Sequence, residues 1–393
     1  MQLSEKIKSL SNDLFEEVRS VRRHLHRHPE LSFREFETSK YIQSQLDAWG
    51  ISYRSGYVKT GLVATIEGRN PNKRTVALRG DMDALPISEK SGAEYASLNP
   101  GVMHACGHDV HTACLLGAGK ILHQLRDEWE GRVLLVFQPG EELNPGGASL
   151  MIKEGALANP APGAIWGQHV FPELEVGKVG FRPGLMMAAA DEIHITVRGR
   201  GGHGALPHKC IDPIVIASHV VIALQQLVSR MTHPLKPTVL TIGKMIGEGA
   251  NNVIPFEVKM EGTLRTFDEK WRFEAHDLIE RIAKHTALAF GGEADVHIDV
   301  GYPCLSNDET LTLQSIEKAK QYLGADNVVD LELRMTAEDF AYYTHYMPGC
   351  FFRLGTADPA MAGNTFPVHH NQFDINEQAI KTGMGLMAWM AMQ

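Results

Sequence analysis

Cys106 and His108, one residue apart in the run MHACGHD at 103–109, open a set of side chains suited to a metal centre. Two further pieces follow apolar, strand-like stretches: the pair Glu141-Glu142 after VLLVFQPG, and His169 after AIWGQ. The pair His369-His370 lies near the C-terminus. Borderline-soft divalent cations accept thiolate, imidazole and carboxylate together. A thiolate has several lone pairs and can bridge two cations, which also keeps it deprotonated near neutral pH. Of two adjacent carboxylates, one can ligate while the other moves a proton. The set reads as metal-assisted hydrolysis.

Taken singly, each piece has a plainer explanation. A lone cysteine is more often a small buried hydrophobe. A Glu pair past a strand can simply complement a helix N-terminus, and a single histidine is usually structural or at the surface. The number of candidates and their common placement tip the balance. Asp81 and Asp83 in RGDMD also stand at a strand end, pointing the same way if the strand continues. Asp83 is suited to accept a hydrogen bond from a ligand imidazole and so orient it. Residue types alone do not choose between His369 and His370. Further on, glycines flank His203 in RGGHGALPH at 200–208 and permit close backbone approach. His203 is suited to donate to an oxyanion or a substrate carboxylate. Asn252 and Arg265 are further polar candidates, although Arg265 alone reads as strand surface.

These residues need a frame. The sequence predicts a helical N-terminal stretch broken at Pro29 and resuming at about Phe33–Leu46. The strands LVATIEG and TVALRGDMD follow, then a helix over about Thr112–Leu125, the strand VLLVFQP, the helix GASLMIKEGAL and the strand AIWGQHV. Strands alternating with helices indicate an α/β sheet covered on both faces, with ligands gathered beyond the carboxyl ends of the strands. Near residue 185 the pattern changes. Ile193, Ile195 and Val197 alternate with polar neighbours, and a β-α-β-β-α-β order runs to ADVHIDVGY, as in a ferredoxin-like unit. The expected domains are a discontinuous catalytic domain, 1–184 with 302–393, and an inserted one, 185–301. The returning chain reads as a helix, the strand GCFFRLG and a final helix.

The 393 residues are too many for one ordinary core. Apolar content of 44% and charged content of 22% suit a globular chain, and a net charge of −9 without a basic run argues against nucleic acid as a partner. No stretch reads as a signal peptide or as a membrane span, so no membrane partner is expected. Five scattered cysteines make a disulfide framework improbable and a reducing cytoplasm the expected compartment.

In order, the motifs LHRHPELSFREFET, RGDMDALP, MHACGHD, QPGEE, GRGGHGALPH, NNVIP, GTLRT, AEDFAYY and HHNQFD resemble the co-catalytic metallopeptidase superfamily of aminoacylases and carboxypeptidases. The nearest likeness is its amidohydrolase branch, which holds hippurate hydrolases, N-acyl-amino-acid amidohydrolases and plant auxin-conjugate hydrolases. The resemblance covers nearly the whole chain. It implies a mixed-sheet α/β catalytic domain with an inserted ferredoxin-like lid that also dimerises. It implies two divalent metal ions per subunit, zinc or manganese before cobalt or nickel, bridged by Cys106. One ion is then completed by Glu142 and His169, the other by His108 and His369. Glu141 maps onto the general base, Asp83 onto the orienting acid, and Asn252 and Arg265 onto substrate-anchoring positions. His203 maps onto a residue that reaches the active site of a partner subunit, hence a homodimer through the inserted domain. Asp81 stands where many superfamily members carry a metal-binding histidine and is left out of the ligand set. Two departures, Leu143–Gly147 in place of a glycine run and Gly204 in place of a common alanine, bear on the acyl group accepted. The implied reaction is hydrolysis of the amide bond of an N-acyl amino acid. A dipeptidase or carboxypeptidase acting on small peptides is the runner-up. A non-hydrolytic binding protein on the same scaffold, or a cysteine-nucleophile hydrolase using Cys106 and His108, differs from both in its response to chelators and alkylating agents.

Overall fold

The computed structural model describes residues 2–358, 360 and 366–392, and divides into two compact units. The first comprises Met1–Met186, Ser306–Glu332 and Asp339–Gln393; the second comprises Met187–Leu305 and Leu333–Glu338. The short segment Leu333–Glu338 therefore groups with the second unit, which the linear pattern does not suggest.

The N-terminal stretch forms three helices, α1 (Leu3–Asp13), α2 (Phe15–Arg27) and α3 (Phe36–Trp49). The hairpin β1 (Ser52–Tyr57) and β2 (Gly61–Glu67) follows, of which β1 is not legible as a strand in the sequence. Next come β3 (Thr75–Asp81), α4 (His108–Gln124), β4 (Arg132–Gln138), α5 (Gly147–Lys153) and β5 (Ile165–Glu175). The short β6 (Val179–Phe181) and β7 (Gly184–Met187) lead toward the insertion. Helix α4 is buried almost all round, from His108 to Gly119, which marks it as a core helix.

The second unit holds β8 (Ala189–Arg198), β9 (Gly202–His203), α6 (Pro213–Gln226), β10 (Thr238–Ile246), β11 (Val253–Ile254), β12 (Glu257–Thr266), α7 (Glu269–Ala289) and β13 (Glu293–Val300). Its main sheet has the order β10-β12-β8-β13, all antiparallel, which is the ferredoxin-like arrangement. The alternation on β8 puts Ile193, Ile195 and Val197 into a core shared with Ile216, Val220 and Ile279. Asp212 caps α6 by accepting from Ile214 N–H at 2.9 Å, with Pro213 at the first helical position. By length and composition alone, Pro213–Met231 is apolar enough to cross a membrane, which corrects the expectation that no stretch is. The reason is visible in its packing: Ile216, Val220 and Leu224 face the core, while Ile214, Val215 and Ile222 on the opposite side are apolar as well.

The chain then returns through β14 (Leu305–Asn307), α8 (Glu309–Leu323), β15 (Val328–Asp330), α9 (Ala341–Tyr346), β16 (Gly349–Ala357) and α10 (Ala379–Met392). The first unit's sheet has the order β1-β2-β4-β3-β5-β16-β6-β15. Its centre, β4-β3-β5-β16, is parallel and buried on both faces, which is why these strands read as continuous apolar runs.

Candidate metal centre

Strand β3 stops at Asp81, so Asp81 and Asp83 do not share a strand face as expected. They close on His108 from its two ring nitrogens. Asp83 Oδ1 lies 3.1 Å from Nδ1, and Asp81 Oδ2 lies 3.7 Å from Nε2. His108 is the first residue of α4, and Cys106 sits in the turn before it. Between them Gly107 has φ +80, and a Cβ there would come within 2.6 Å of Val170. Only glycine lets this turn pack against β5.

Asp81 is fully engaged elsewhere. Arg79, itself buried, donates to Asp81 Oδ2 at 2.5 Å, to Gln138 Oε1 at 2.9 Å and to Asp339 Oδ1 at 2.8 Å. On its other oxygen Asp81 meets His111 Nδ1 at 2.6 Å. His111 Nε2 accepts the Val170 N–H at 2.9 Å, which fixes its tautomer and spends both nitrogens. The Val170 carbonyl accepts the His169 Nδ1–H at 2.8 Å. His169 Nε2 is thereby left unprotonated, 3.4 Å from Cys106 Sγ. His169 is not at a strand end as expected, since β5 runs on to Glu175. It emerges two residues past Gly167, the last β5 residue paired with β3.

The loop after β4 brings the Glu pair. Glu142 N–H donates to Asp83 Oδ2 at 2.9 Å, and Glu141 Oε2 and Glu142 Oε1 each lie 3.9 Å from His108 Nε2. His369 has a left-handed backbone, φ +65, and its N–H donates to Ala105 O at 2.8 Å. Its Nε2 is 3.3 Å from Glu142 Oε1, in an orientation that makes no hydrogen bond. The neighbouring His370 instead stacks on Phe366 and accepts from Gln372 N–H. The buried Arg22 donates to Asp109, next to His108, at 2.7 Å and to Asp374, beyond His369, at 2.9 Å, tying the two ligand-bearing segments to α2.

The structure thus gathers Cys106, His108, His169, Glu141, Glu142, His369 and Asp83. Ligand atoms of Cys106, His108 and His169 lie within 4.8 Å of one another, as do those of Cys106, Glu142 and His369. The left-handed turn at His369 brings its ring to within 3.3 Å of Glu142 Oε1. His203, Asn252 and Arg265 belong to the second unit. There His203 is exposed and pairs with Val253, next to Asn252, while Arg265 is half-buried on β12 and donates to Thr263 Oγ1 at 3.1 Å.

Electrostatics show what the cradle lacks. Burial pushes the Cys106 thiol far up, and Glu142 and Glu141 push it further. Burial also drives His169 well down, with Arg353 adding to it. On His108 burial acts downward too, but Asp81, Asp83 and Glu142 prevail and raise it to about 10. A proton on His108 therefore sits where the surrounding carboxylates call for positive charge. His108 Nε2 and Glu142 Oε1 are buried without a hydrogen-bond partner. An orphaned imidazole nitrogen, an orphaned carboxylate oxygen and a buried sulfur together fit divalent cations.

The sequence reading gave no role to Arg79, His111, Asp339 or Glu35. His111 could have been found from its spacing, one helical turn after His108. Asp339 lies in AEDFAYY, a motif to which residue types alone assign no role.

Residues 77–393 match the peptidase family M20/M25/M40. The chain belongs to that family. It is 46% identical over 306 residues to an N-acyl-L-amino acid amidohydrolase of Geobacillus stearothermophilus, covering 78% of this chain and 82% of the relative. It is 42% identical over 360 residues to an N-acetyl-L-cysteine deacetylase of Bacillus subtilis (strain 168), covering 92% and 84%. Among solved structures, the Bacillus subtilis YXEP protein, a dinuclear metal binding peptidase of the M20 family, superposes with a TM-score of 0.83 at 34% identity over 97% of this chain and 98% of that one. As a member of this family the chain is a hydrolase of linear amides.

Proposed function

We propose that this chain hydrolyses the amide bond of N-acyl amino acids, using two divalent cations that Cys106 would hold in common, one completed by Glu142 and His169 and the other by His108 and His369. The observation that carries the reading is the pair of buried, orphaned ligand atoms beside a buried sulfur, with Glu141 next to them. Bound cations supply Lewis acidity for the amide carbonyl and for the attacking water. Zinc is favoured by the mixed sulfur, nitrogen and oxygen donors, with manganese next and cobalt or nickel tolerated. Glu141 takes a proton from the water as its oxygen bonds to the acyl carbon. It returns that proton to the amine nitrogen as the carbon–nitrogen bond breaks. Asp83 holds His108 with Nε2 inward. His203 of the partner subunit donates to the developing oxyanion, and Asn252 and Arg265 are the substrate-anchoring residues.

We assign the unit boundaries expected from the sequence, about 185 and 301, to the ends of a lid. We place a homodimer contact on that same unit, where β10 leaves a free sheet edge beside the exposed Ile214, Val215 and Ile222 of α6. The five unpaired cysteines favour the cytoplasm.

The test assays benzoyl-glycine and a panel of other N-acyl amino acids against simple dipeptides, with metal quantified in the same sample. Glu141→Ala should keep two cations and lose turnover by about 100- to 10,000-fold. Full turnover at full metal content would remove Glu141 from the reaction.

A further inference from the structure

The turn between α2 and α3 has no part in the chemistry above, yet it carries a carboxylate withdrawn wholly from water. Glu35 is 0% exposed. Its Oε1 accepts the N–H of Phe33 at 2.9 Å and of Gly140 at 2.8 Å, and its Oε2 accepts from Thr60 Oγ1 at 2.8 Å. Gly140 immediately precedes the Glu pair. It has φ +62, and a Cβ there would come within 2.3 Å of the Phe33 ring, so turn and loop are fitted to each other. Phe33 itself adopts φ +62, an uncommon conformation for a bulky residue, held by the Glu35 carboxylate it donates to. In the same turn Ser32 Oγ donates to Asp83 Oδ2 at 2.7 Å, the oxygen that also receives the Glu142 N–H. The Ala84 N–H donates to Glu30 O at 2.8 Å. One short turn therefore grips the segment after β3 and the loop after β4. Burial, with Asp83 nearby, raises the Glu35 carboxyl to about 7, so this grip is maintained against an electrostatic cost.

We infer that the Ser32–Glu35 turn is a positioning device for the reaction. Glu35 fixes the root of the Gly140–Glu142 loop, so that Glu141 meets the attacking water and Glu142 meets a cation, while Ser32 fixes Asp83 behind His108. The inference rests on the hydrolase reading for its kinetic consequence, but not for its spectroscopic one. Each oxygen of Glu35 serves as an acceptor, and the Thr60 hydroxyl can reverse its role. A glutamine can therefore replace Glu35 with both backbone N–H groups still bound.

The experiment uses the full chain loaded with Co²⁺, comparing wild type, Glu35→Ala, Glu35→Gln and Ser32→Ala. In Glu35→Ala, kcat should fall about 10- to 100-fold with KM within about twofold and two cations retained, the pattern of displaced catalytic groups. Its Co²⁺ absorption bands should shift as Glu142 moves, and Glu35→Gln should restore both kcat and bands to near wild type. Ser32→Ala should lower kcat by a few-fold, about 3 to 10. Wild-type kcat and bands in Glu35→Ala would overturn the inference. So would equal losses in the Ala and Gln variants that track their loss of folded protein. Should Glu35→Ala fail to fold, unchanged kcat and bands in Ser32→Ala would overturn it equally. A wild-type protein that binds two Co²⁺ yet cleaves no N-acyl amino acid would sink the proposed function instead, and the band shift would still decide the role of the turn.

Discussion

Each unit of this chain buries a cluster of charge, and the two clusters are finished differently. In the second unit Asp191 receives Arg272 Nε at 2.9 Å, His276 Nε2 at 2.6 Å and the Gly301 N–H at 3.0 Å, while Arg272 also reaches Glu269 at 3.0 Å. No buried side-chain atom lacking a hydrogen bond belongs to that unit, among the described residues. In the first unit the cradle leaves His108 Nε2 and Glu142 Oε1 without one. A closed cluster supports its own fold. An open one forgoes stability for a ligand that is to complete it. Arg79, Asp81 and His111 belong with the closed kind although they touch the cradle, which is why Asp81 is a support and not a donor.

The largest expected effect is on the open cluster. Cys106→Ala should lose cation binding and at least about a thousandfold in turnover, yet leave the metal-free protein within about 1 kcal/mol of wild type. Comparing metal content with urea denaturation in chelator checks both halves, and a large loss of metal-free stability would erase the contrast. Arg272→Met should do the reverse. It strands a buried carboxylate at a cost of about 3–5 kcal/mol, while cation content stays at two. Chemical denaturation and metal analysis on the same preparation read it. Between the two lies Asp83→Asn, expected to weaken cation affinity about 10- to 100-fold through the orientation of His108. Competition with a chromophoric chelator measures this. The smallest effect concerns pH. Burial opposes the Asp191 charge, but Arg272 and His276 hold the carboxyl down to about 2, against about 3.9 in an unfolded chain. A depressed acid stabilises fully above its unfolded value. The contribution, about 1–2 kcal/mol, should therefore be whole above about pH 4 and vanish as pH falls through about 2. Denaturation of wild type against Asp191→Asn across that range tests it, and parallel pH curves would rule it out.

Much of this was legible from the chain alone. The parallel strands announced themselves as apolar runs because both of their faces are covered, and the β8 alternation because one face is not. The members of the cradle were candidates by residue type and motif, and the resemblance chose His369 over His370. What escaped were features set by the third dimension. Sequence spacing cannot show that β3 stops at Asp81 or that β5 continues past His169. Nor can it show that a left-handed backbone at His369 brings that ring, 3.3 Å away, toward Glu142. Glu35 was invisible for a different reason: a carboxylate in a polar turn reads as solvated until the fold removes its water.

Strand β16 lies between β5 and β6 in the sheet but follows the whole second unit in the chain. While a ribosome is still making the insertion, the emerging polypeptide holds β5 with its outer edge bare, an invitation to pair with a neighbouring nascent chain. The His369 imidazole arrives later still. A product ending between β16 and that residue would have its sheet closed but would lack the last residue of the proposed centre.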